Sequence, residues 1–163
     1  MSVRIIDKAA EKVVGVRVVG PYPQTIPQGS QQLLAWRQRH DVPFGKWLVL
    51  YWDDPAEVAP EKLRADVVMS VADDFALPAG SEGVTVQTLP AGQYAVYHVR
   101  ISDGDFERVW GEFYQKLLPA IGYQPVEGVS YEHYLNDCEA DGYFDLEIYQ
   151  TVKKWSRGND KEG

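Results

Sequence analysis

Residues 143–148 read YFDLEI, and 79 positions earlier residues 64–69 read RADVVM, so that Asp145 and Asp66 coincide when the two stretches are overlaid. Further upstream, Val84 falls on Val3 and Tyr94 on Val14. Both halves follow the order strand, strand, helix, strand, acidic loop, strand, which indicates an internal duplication. The sequence therefore predicts an α+β fold. It consists of two ββαββ units, or βαββ units if the opening hairpins are discounted, with a mostly antiparallel sheet, two helices on one face and a pseudo-two-fold axis.

Hydrophobic periodicity and turn residues place the individual elements. The predicted strands cover residues 3–6, 13–19, 47–52, 64–71, 83–89, 93–100, 129–135 and 143–152. A hairpin is expected over 83–100. One predicted helix covers 27–39 and starts at Pro27; the other covers 105–118 and can be capped by Ser102 or Asp103. The acidic loops are 53–61 and 136–142. One domain is expected over residues 1–152, with halves of about 1–80 and 81–152 and a flexible tail over 153–163.

Composition narrows the class of protein. The 163 residues are 45% hydrophobic, enough for a real core, and the net charge of −8 comes without any basic run. A phosphate-binding face needs such a run, so nucleic acid is not an expected partner. Cationic or aromatic small molecules, or a basic patch on another protein, suit this charge better. Cys138 is the only cysteine, and the sequence shows neither a signal peptide nor an apolar span of about 20 residues. We expect a soluble, cytoplasmic protein that does not contact membranes.

The last predicted strand alternates between two kinds of side chain. Its apolar set, expected to face the helices, is Phe144, Leu146 and Ile148, and its other set is Tyr143, Asp145, Glu147 and Tyr149. Glu147 replaces Val68 in the overlay and so breaks the internal symmetry. On one interpretation this face lines a pocket, where Glu147 attracts a lipophilic cation between aromatic walls. On the other, it is the solvated face of an antiparallel sheet.

Other candidate residues are fewer and weaker. Tyr51 and Tyr134 occupy related positions and are the better aromatic pocket candidates. Trp110 is a further ligand-binding candidate, although its spacing on the second helix also fits a core residue. The acidic stretch 137–142 does not fit a calcium loop, because position 12 of the motif would be Ile148. No metal or cofactor is expected. Glu147 is the one candidate for acid–base catalysis, and the acidic loop should raise the pKa of the Cys138 thiol.

Several stretches together resemble a known family. They are VGPY at 19–22, LYWDDP at 50–55, EKLRAD at 61–66, GQYAV at 92–96, YLN at 134–136 and DGYFDLEIY at 141–149. This set is similar to the GyrI-like small-molecule-binding family, whose domain also forms the effector-binding part of multidrug-responsive transcription activators. The resemblance implies a duplicated βαββ fold and a ligand pocket containing a glutamate from the last strand, which corresponds to Glu147.

The resemblance also implies a function. It points to a protein that binds DNA gyrase, lowers supercoiling and protects cells under stress from gyrase-directed toxins and alkylating agents. The alternative it implies is a hydrolase or sequestering protein for cyclopropane-containing or other drug-like toxins, using the pocket glutamate and its aromatic neighbours. No helix-turn-helix segment accompanies the domain in this sequence, so a stand-alone binder or inhibitor is favoured over a DNA-acting regulator.

Overall fold

The computed structural model describes residues 3–155, except for the side chain of Val129. The strands in this part of the chain are β1 (Val3–Lys8), β2 (Glu11–Val19), β3 (Trp47–Tyr51), β4 (Arg64–Ser70), β5 (Thr85–Leu89), β6 (Gly92–Ile101), β7 (Tyr123–Tyr134) and β8 (Phe144–Lys154). The helices are α1 (Tyr22–Arg39), α2 (Phe106–Glu112), α3 (Leu118–Ala120) and α4 (Cys138–Asp141), with a 3₁₀ turn at Pro60–Lys62 and a π turn at Phe113–Leu117. None of these helices is long and apolar enough to cross a membrane.

The chain forms two compact units. The α1 unit contains residues 9–91 and 129–133, and its strands follow the order β3-β4-β2-β5. The α2 unit contains residues 3–8, 92–128 and 134–155, and its strands include the order β1-β6-β8. Neighbouring strands in both orders are antiparallel. The predicted α+β class and mostly antiparallel sheet are confirmed.

Each unit buries its own core under one helix. In the α1 unit, Leu33 and Trp36 of α1 pack on Val67 and Met69 of β4. In the α2 unit, the helical segment packs on Leu146 and Ile148 of β8. These β4 and β8 residues occupy equivalent positions in the sequence overlay. The predicted division of β8 into a helix-facing apolar set and an opposite polar set is therefore confirmed.

The opening strands are not paired as the sequence predicted. Residues 83–100 do not form a hairpin, because β5 pairs with β2 and β6 pairs with β1. The remaining edges of β2 and β6 are occupied by β4 and β8. Pro90 and Ala91 thus connect two strands that belong to different units, although the same dipeptide would suit a tight turn between paired strands.

Helix boundaries also differ from the predicted ones. Helix α1 begins at Tyr22 rather than at Pro27, which lies inside the helix. Pro23 is the proline of its first turn, where a missing N–H leaves no helical hydrogen bond unmade. Asp105, rather than Ser102 or Asp103, caps α2 by accepting a hydrogen bond from the Arg108 amide at 3.0 Å. The π turn precedes Pro119, which has no N–H to donate and crowds the carbonyl four residues earlier. That crowding accounts for the wider turn.

The last two strands and the second acidic loop need three further corrections. Strand β8 continues to Lys154, so the first residues of the predicted 153–163 tail are in a strand, while residues 156–163 lie outside the described part. Strand β7 begins at Tyr123 rather than at 129. The loop predicted over 136–142 contains the short helix α4, which Asp137 caps.

Candidate functional site

Glu147 lies on the polar face of β8, where its carboxylate is bonded to Arg4 and Tyr149. The Arg4 guanidinium donates to Oε2 at 2.8 Å, and the Tyr149 hydroxyl donates to Oε1 at 3.1 Å. The Glu147 side chain is 14% exposed, whereas that of Arg4 is 54% exposed. The carboxylate is thus largely desolvated, but its cationic partner is a surface side chain that can exchange with another cation.

The same face of the α2 unit carries a histidine and a second arginine. His98 Nε2 lies 2.6 Å from Oδ1 of Asp145, and the Arg100 guanidinium lies 4.2 Å from the centre of the Tyr143 ring. Asp145 is partly exposed and His98 more so. Tyr143 therefore already shows the contact between a cation and an aromatic ring that a cationic ligand would require.

A second carboxylate–phenol pair lies in the α1 unit. The Tyr51 hydroxyl donates to Oε1 of Glu132 at 2.7 Å, and Glu132 is 0% exposed. Tyr22 packs edge-on against Tyr51, with ring centres 5.1 Å apart. The Tyr22 hydroxyl donates to the carbonyls of Asp53 and Arg64 at 3.0 and 2.8 Å. Burial raises the pKa of Tyr22 to about 12.

Sequence reasoning identified Tyr51 but missed Glu132. The available signal was a glutamate flanked by Tyr131 and His133 within a predicted strand, a position where an acidic side chain needs a partner if it is buried. Strand alternation cannot reveal that burial, since it does not say how completely a face is covered.

Asp66, which coincides with Asp145 in the overlay, is buried and bonded to three side chains. Arg17 donates to both carboxylate oxygens, while Trp52 Nε1 and Gln87 Nε2 donate to Oδ2 at 2.8 and 2.7 Å. Hydrogen bonding to Asp66 raises the pKa of Arg17. With so many donors already directed at it, Asp66 is suited to holding β2, β4 and β5 together rather than to exchanging ligands.

Comparison with known proteins gives this geometry its context. The family model of the GyrI-like small-molecule-binding domain matches residues 1–153. The chain belongs to the GyrI-like family. It is 82% identical over 155 residues to a Serratia proteamaculans protein named DNA gyrase inhibitor, a match that covers 94% of this chain and 99% of the relative.

Two solved structures share the GyrI-like fold at low sequence identity. A hydrolase from Listeria innocua superposes with a TM-score of 0.69 at 9% identity, covering 93% of this chain and 92% of the other. The protein SAV2435, solved with bound tetraphenylphosphonium, superposes with a TM-score of 0.62 at 14% identity, covering 94% of both chains. At these identities the likeness establishes the fold.

Within this GyrI-like chain, two predicted aromatic candidates pack into the α2 core. Tyr134 meets the Phe144 ring edge-on at 6.2 Å. Trp110 contacts Phe113 and Tyr114, with ring centres 6.2 and 5.7 Å away. The sequence placed Tyr51 and Tyr134 at related positions, yet Tyr51 bonds a buried carboxylate and Tyr134 packs on an aromatic core.

The acidic loop around Cys138 behaves as its composition predicted. Burial raises the pKa of the Cys138 thiol, and the charges of Asp137 and Asp141 raise it further. A protonated thiol is a poor nucleophile and a poor metal ligand. Within residues 3–155, no group of three or more His, Cys, Asp or Glu side chains is arranged to hold a metal ion.

Proposed function

We propose that this protein binds DNA gyrase and lowers its supercoiling activity. The observation that carries the proposal is the 82% identity to a protein named DNA gyrase inhibitor, extending over 94% of this chain and 99% of that relative. Identity at this level extends over nearly the full length of both proteins. We expect the gyrase-contacting surface to be among the shared features.

Inhibition should occur through contact with the enzyme rather than with DNA. The net charge of −8 opposes binding to phosphates, since counterion release requires cationic side chains along the nucleic acid. The test is a supercoiling assay with purified gyrase and increasing amounts of this protein, alongside a gel-shift assay with DNA alone. We expect less supercoiling and no shift. Unchanged supercoiling contradicts the function, and a DNA shift at physiological salt contradicts the mechanism.

In the cytoplasm, this activity would protect cells against gyrase-directed toxins. A toxin that traps gyrase on DNA needs active enzyme, so reducing gyrase turnover should reduce the damage. Expression from a plasmid should therefore raise the inhibitory concentration of a gyrase-directed toxin. A ribosome-directed antibiotic is the matched control, and equal protection against both would point to a general effect on growth or uptake.

We also propose that the domain binds lipophilic cations at a carboxylate–phenol pair, either Glu132–Tyr51 or Glu147–Tyr149. The family model describes a small-molecule-binding domain, and each unit contains a glutamate bonded to a tyrosine hydroxyl. A desolvated carboxylate beside aromatic rings attracts an organic cation both by charge and by cation–π contact. Tetraphenylphosphonium, the ligand bound to SAV2435, is a suitable probe.

Glu132 should contribute more to cation binding than Glu147, the residue that the strand pattern favoured. Glu132 is fully buried, so its carboxylate acts on a nearby cation through the protein interior, where charge attraction is less screened than at the surface. At Glu147, an incoming cation must displace or accommodate Arg4. Calorimetric titration should show binding of tetraphenylphosphonium in preference to neutral triphenylphosphine oxide. Equal affinities would show that carboxylate charge has no part in recognition.

Hydrolysis of a strained toxin is a second candidate function, supported by the 2.7 Å contact between the Tyr51 hydroxyl and the Glu132 carboxylate. A buried carboxylate bonded to a phenol can accept a proton and then return it, as general acid–base catalysis requires. Incubation with a cyclopropane-containing toxin, followed by chromatography, separates the alternatives. A ring-opened product indicates an enzyme, whereas intact toxin recovered after denaturation of the complex indicates sequestration.

A further inference from the structure

Acidic residues are distributed very unevenly along this acidic chain. None of its 24 aspartates and glutamates falls within residues 12–40, a segment that contains two lysine or arginine residues before α1 and two more in the last turn of α1. The exposed positions of α1 are almost all uncharged, and they include Gln24, Gln28, Gln31, Gln32, Leu34, Ala35 and Gln38. The exposed positions of α1 therefore carry no negative charge that would repel an acidic partner, and the exposed Asp41 is the first acidic residue after the helix.

The two arginines at the end of α1 differ from other arginines in the molecule. Arg17, Arg64 and Arg108 each form an ion pair with an aspartate. Within residues 3–155, Arg37 and Arg39 form no ion pair, and Arg37 Nε is buried without a hydrogen-bond partner. Both guanidinium groups can therefore donate hydrogen bonds to carboxylates of another molecule without first breaking an internal ion pair.

Phe44 lies beside Arg37 and is 60% exposed. Its ring stacks on Trp47 with centres 5.7 Å apart and planes 14° apart, and the Arg37 guanidinium lies 4.9 Å from the ring centre. An exposed phenylalanine fixed by an indole and a guanidinium can bind with little loss of conformational entropy. Trp and Arg are also the residue types most enriched among energetically dominant interface residues.

The loop that carries Phe44 is fixed to β4. The Lys46 amide donates to Ser70 Oγ at 2.8 Å, and the Ser70 amide donates back to the Lys46 carbonyl at 3.0 Å. A Cβ atom at Gly45 would lie 2.1 Å from the Ser70 carbonyl oxygen, so only glycine permits this close approach. Phe44 is thus presented to solvent by a rigid loop.

We propose that Arg37, Arg39, Phe44 and Trp47, together the Phe44 surface, form the docking site for an acidic, apolar-containing segment of a protein partner. The arginines would bind the carboxylates of this segment. Phe44 would fill an apolar recess between those carboxylates. The identification of that partner as DNA gyrase rests on the proposed function. Charge complementarity carries the choice of occupant, because the available cations are arginines, which bind carboxylates in bidentate fashion.

The first test measures binding of the full chain to immobilised gyrase. Two variants remove the surface: Arg37→Glu with Arg39→Glu, and Phe44→Ser. The matched control, Lys62→Glu with Lys116→Glu, changes the net charge equally at exposed lysines elsewhere. We expect each surface variant to weaken binding at least about ten-fold and the control to change it less than about three-fold. Circular dichroism confirms that all variants are folded.

A second test does not depend on gyrase. Titration of the ¹⁵N-labelled chain with a hexaglutamate peptide carrying one central phenylalanine should shift the signals of Arg37, Arg39 and Phe44, and the double arginine variant should lose these shifts. If the wild type does not bind gyrase but the shifts appear, the docking site stands and the gyrase proposal fails. Absence of shifts at these residues overturns the inference. Gyrase binding that is unchanged in both surface variants also overturns the inference. The same holds if the variants affect only self-association or DNA binding.

Discussion

The two units use carboxylates in contrasting ways. In the α1 unit, Asp66 and Glu132 are buried, and most of the donors identified around them are neutral: indole, amide and phenol. In the α2 unit, Asp145 and Glu147 lie nearer the surface, and their partners include the exposed side chains His98 and Arg4. A carboxylate surrounded by fixed neutral donors contributes to a rigid structure or a preformed site. One held by exposed side chains can exchange partners.

Substitution of Asp66 should lower the stability of the fold more than any other change considered below. Asp66→Ala leaves Trp52 Nε1 and Gln87 Nε2 without their acceptor and removes the ion pair with Arg17. We expect the free energy of unfolding to fall by about 3 kcal/mol, measured by urea denaturation. Asp145→Ala, at the overlaid position in the α2 unit, should cost about 1 kcal/mol or less, because that pair is exposed. Similar losses would remove the distinction between the two units.

Alkaline pH should weaken the structure through Tyr22. The raised pKa of about 12 means that the folded state favours the neutral phenol, which donates to two carbonyls. The stabilisation is complete below the unfolded-state pKa of about 10 and is lost as the pH rises through about 12. Urea denaturation between pH 9 and 12 should show a shallower decline for Tyr22→Phe than for wild type. Identical slopes for Tyr22→Phe and wild type would contradict this role.

Removal of Arg4 should have the smallest effect on stability and an informative effect on binding. Its exposed ion pair with Glu147 contributes about 1 kcal/mol or less to folding. Arg4→Ala should nevertheless increase tetraphenylphosphonium affinity about two- to five-fold if Glu147 contacts the ligand, because the competing cation is gone. Calorimetry provides the measurement, with Arg108→Ala as the control. Unchanged affinity would exclude Glu147 from the cation contact.

The sequence predicts the architecture better than it predicts the environment of its charges. Alternation in residues 143–149 correctly assigned Leu146 and Ile148 to the helix side, because a two-residue period is a local property of a strand. The pairing of β5 with β2 and of β6 with β1 was not predictable. A turn signal at 90–92 does not show which strands lie next to each other in the sheet. The burial of Glu132 was missed for a similar reason. Coverage of a strand is determined by the whole fold, and Arg4, the partner of Glu147, is 143 residues away.

The contrast between Glu132 and Glu147 is tested most directly by titrating tetraphenylphosphonium into wild type, Glu132→Gln and Glu147→Gln in one calorimetric series. Each substitution keeps the side-chain shape and removes one charge. We predict that Glu132→Gln weakens binding by about 1–3 kcal/mol and that Glu147→Gln weakens it by about 1 kcal/mol or less. Thermal unfolding confirms that both variants are folded. A larger loss with Glu147→Gln than with Glu132→Gln would contradict the account and make the last strand the principal cation contact.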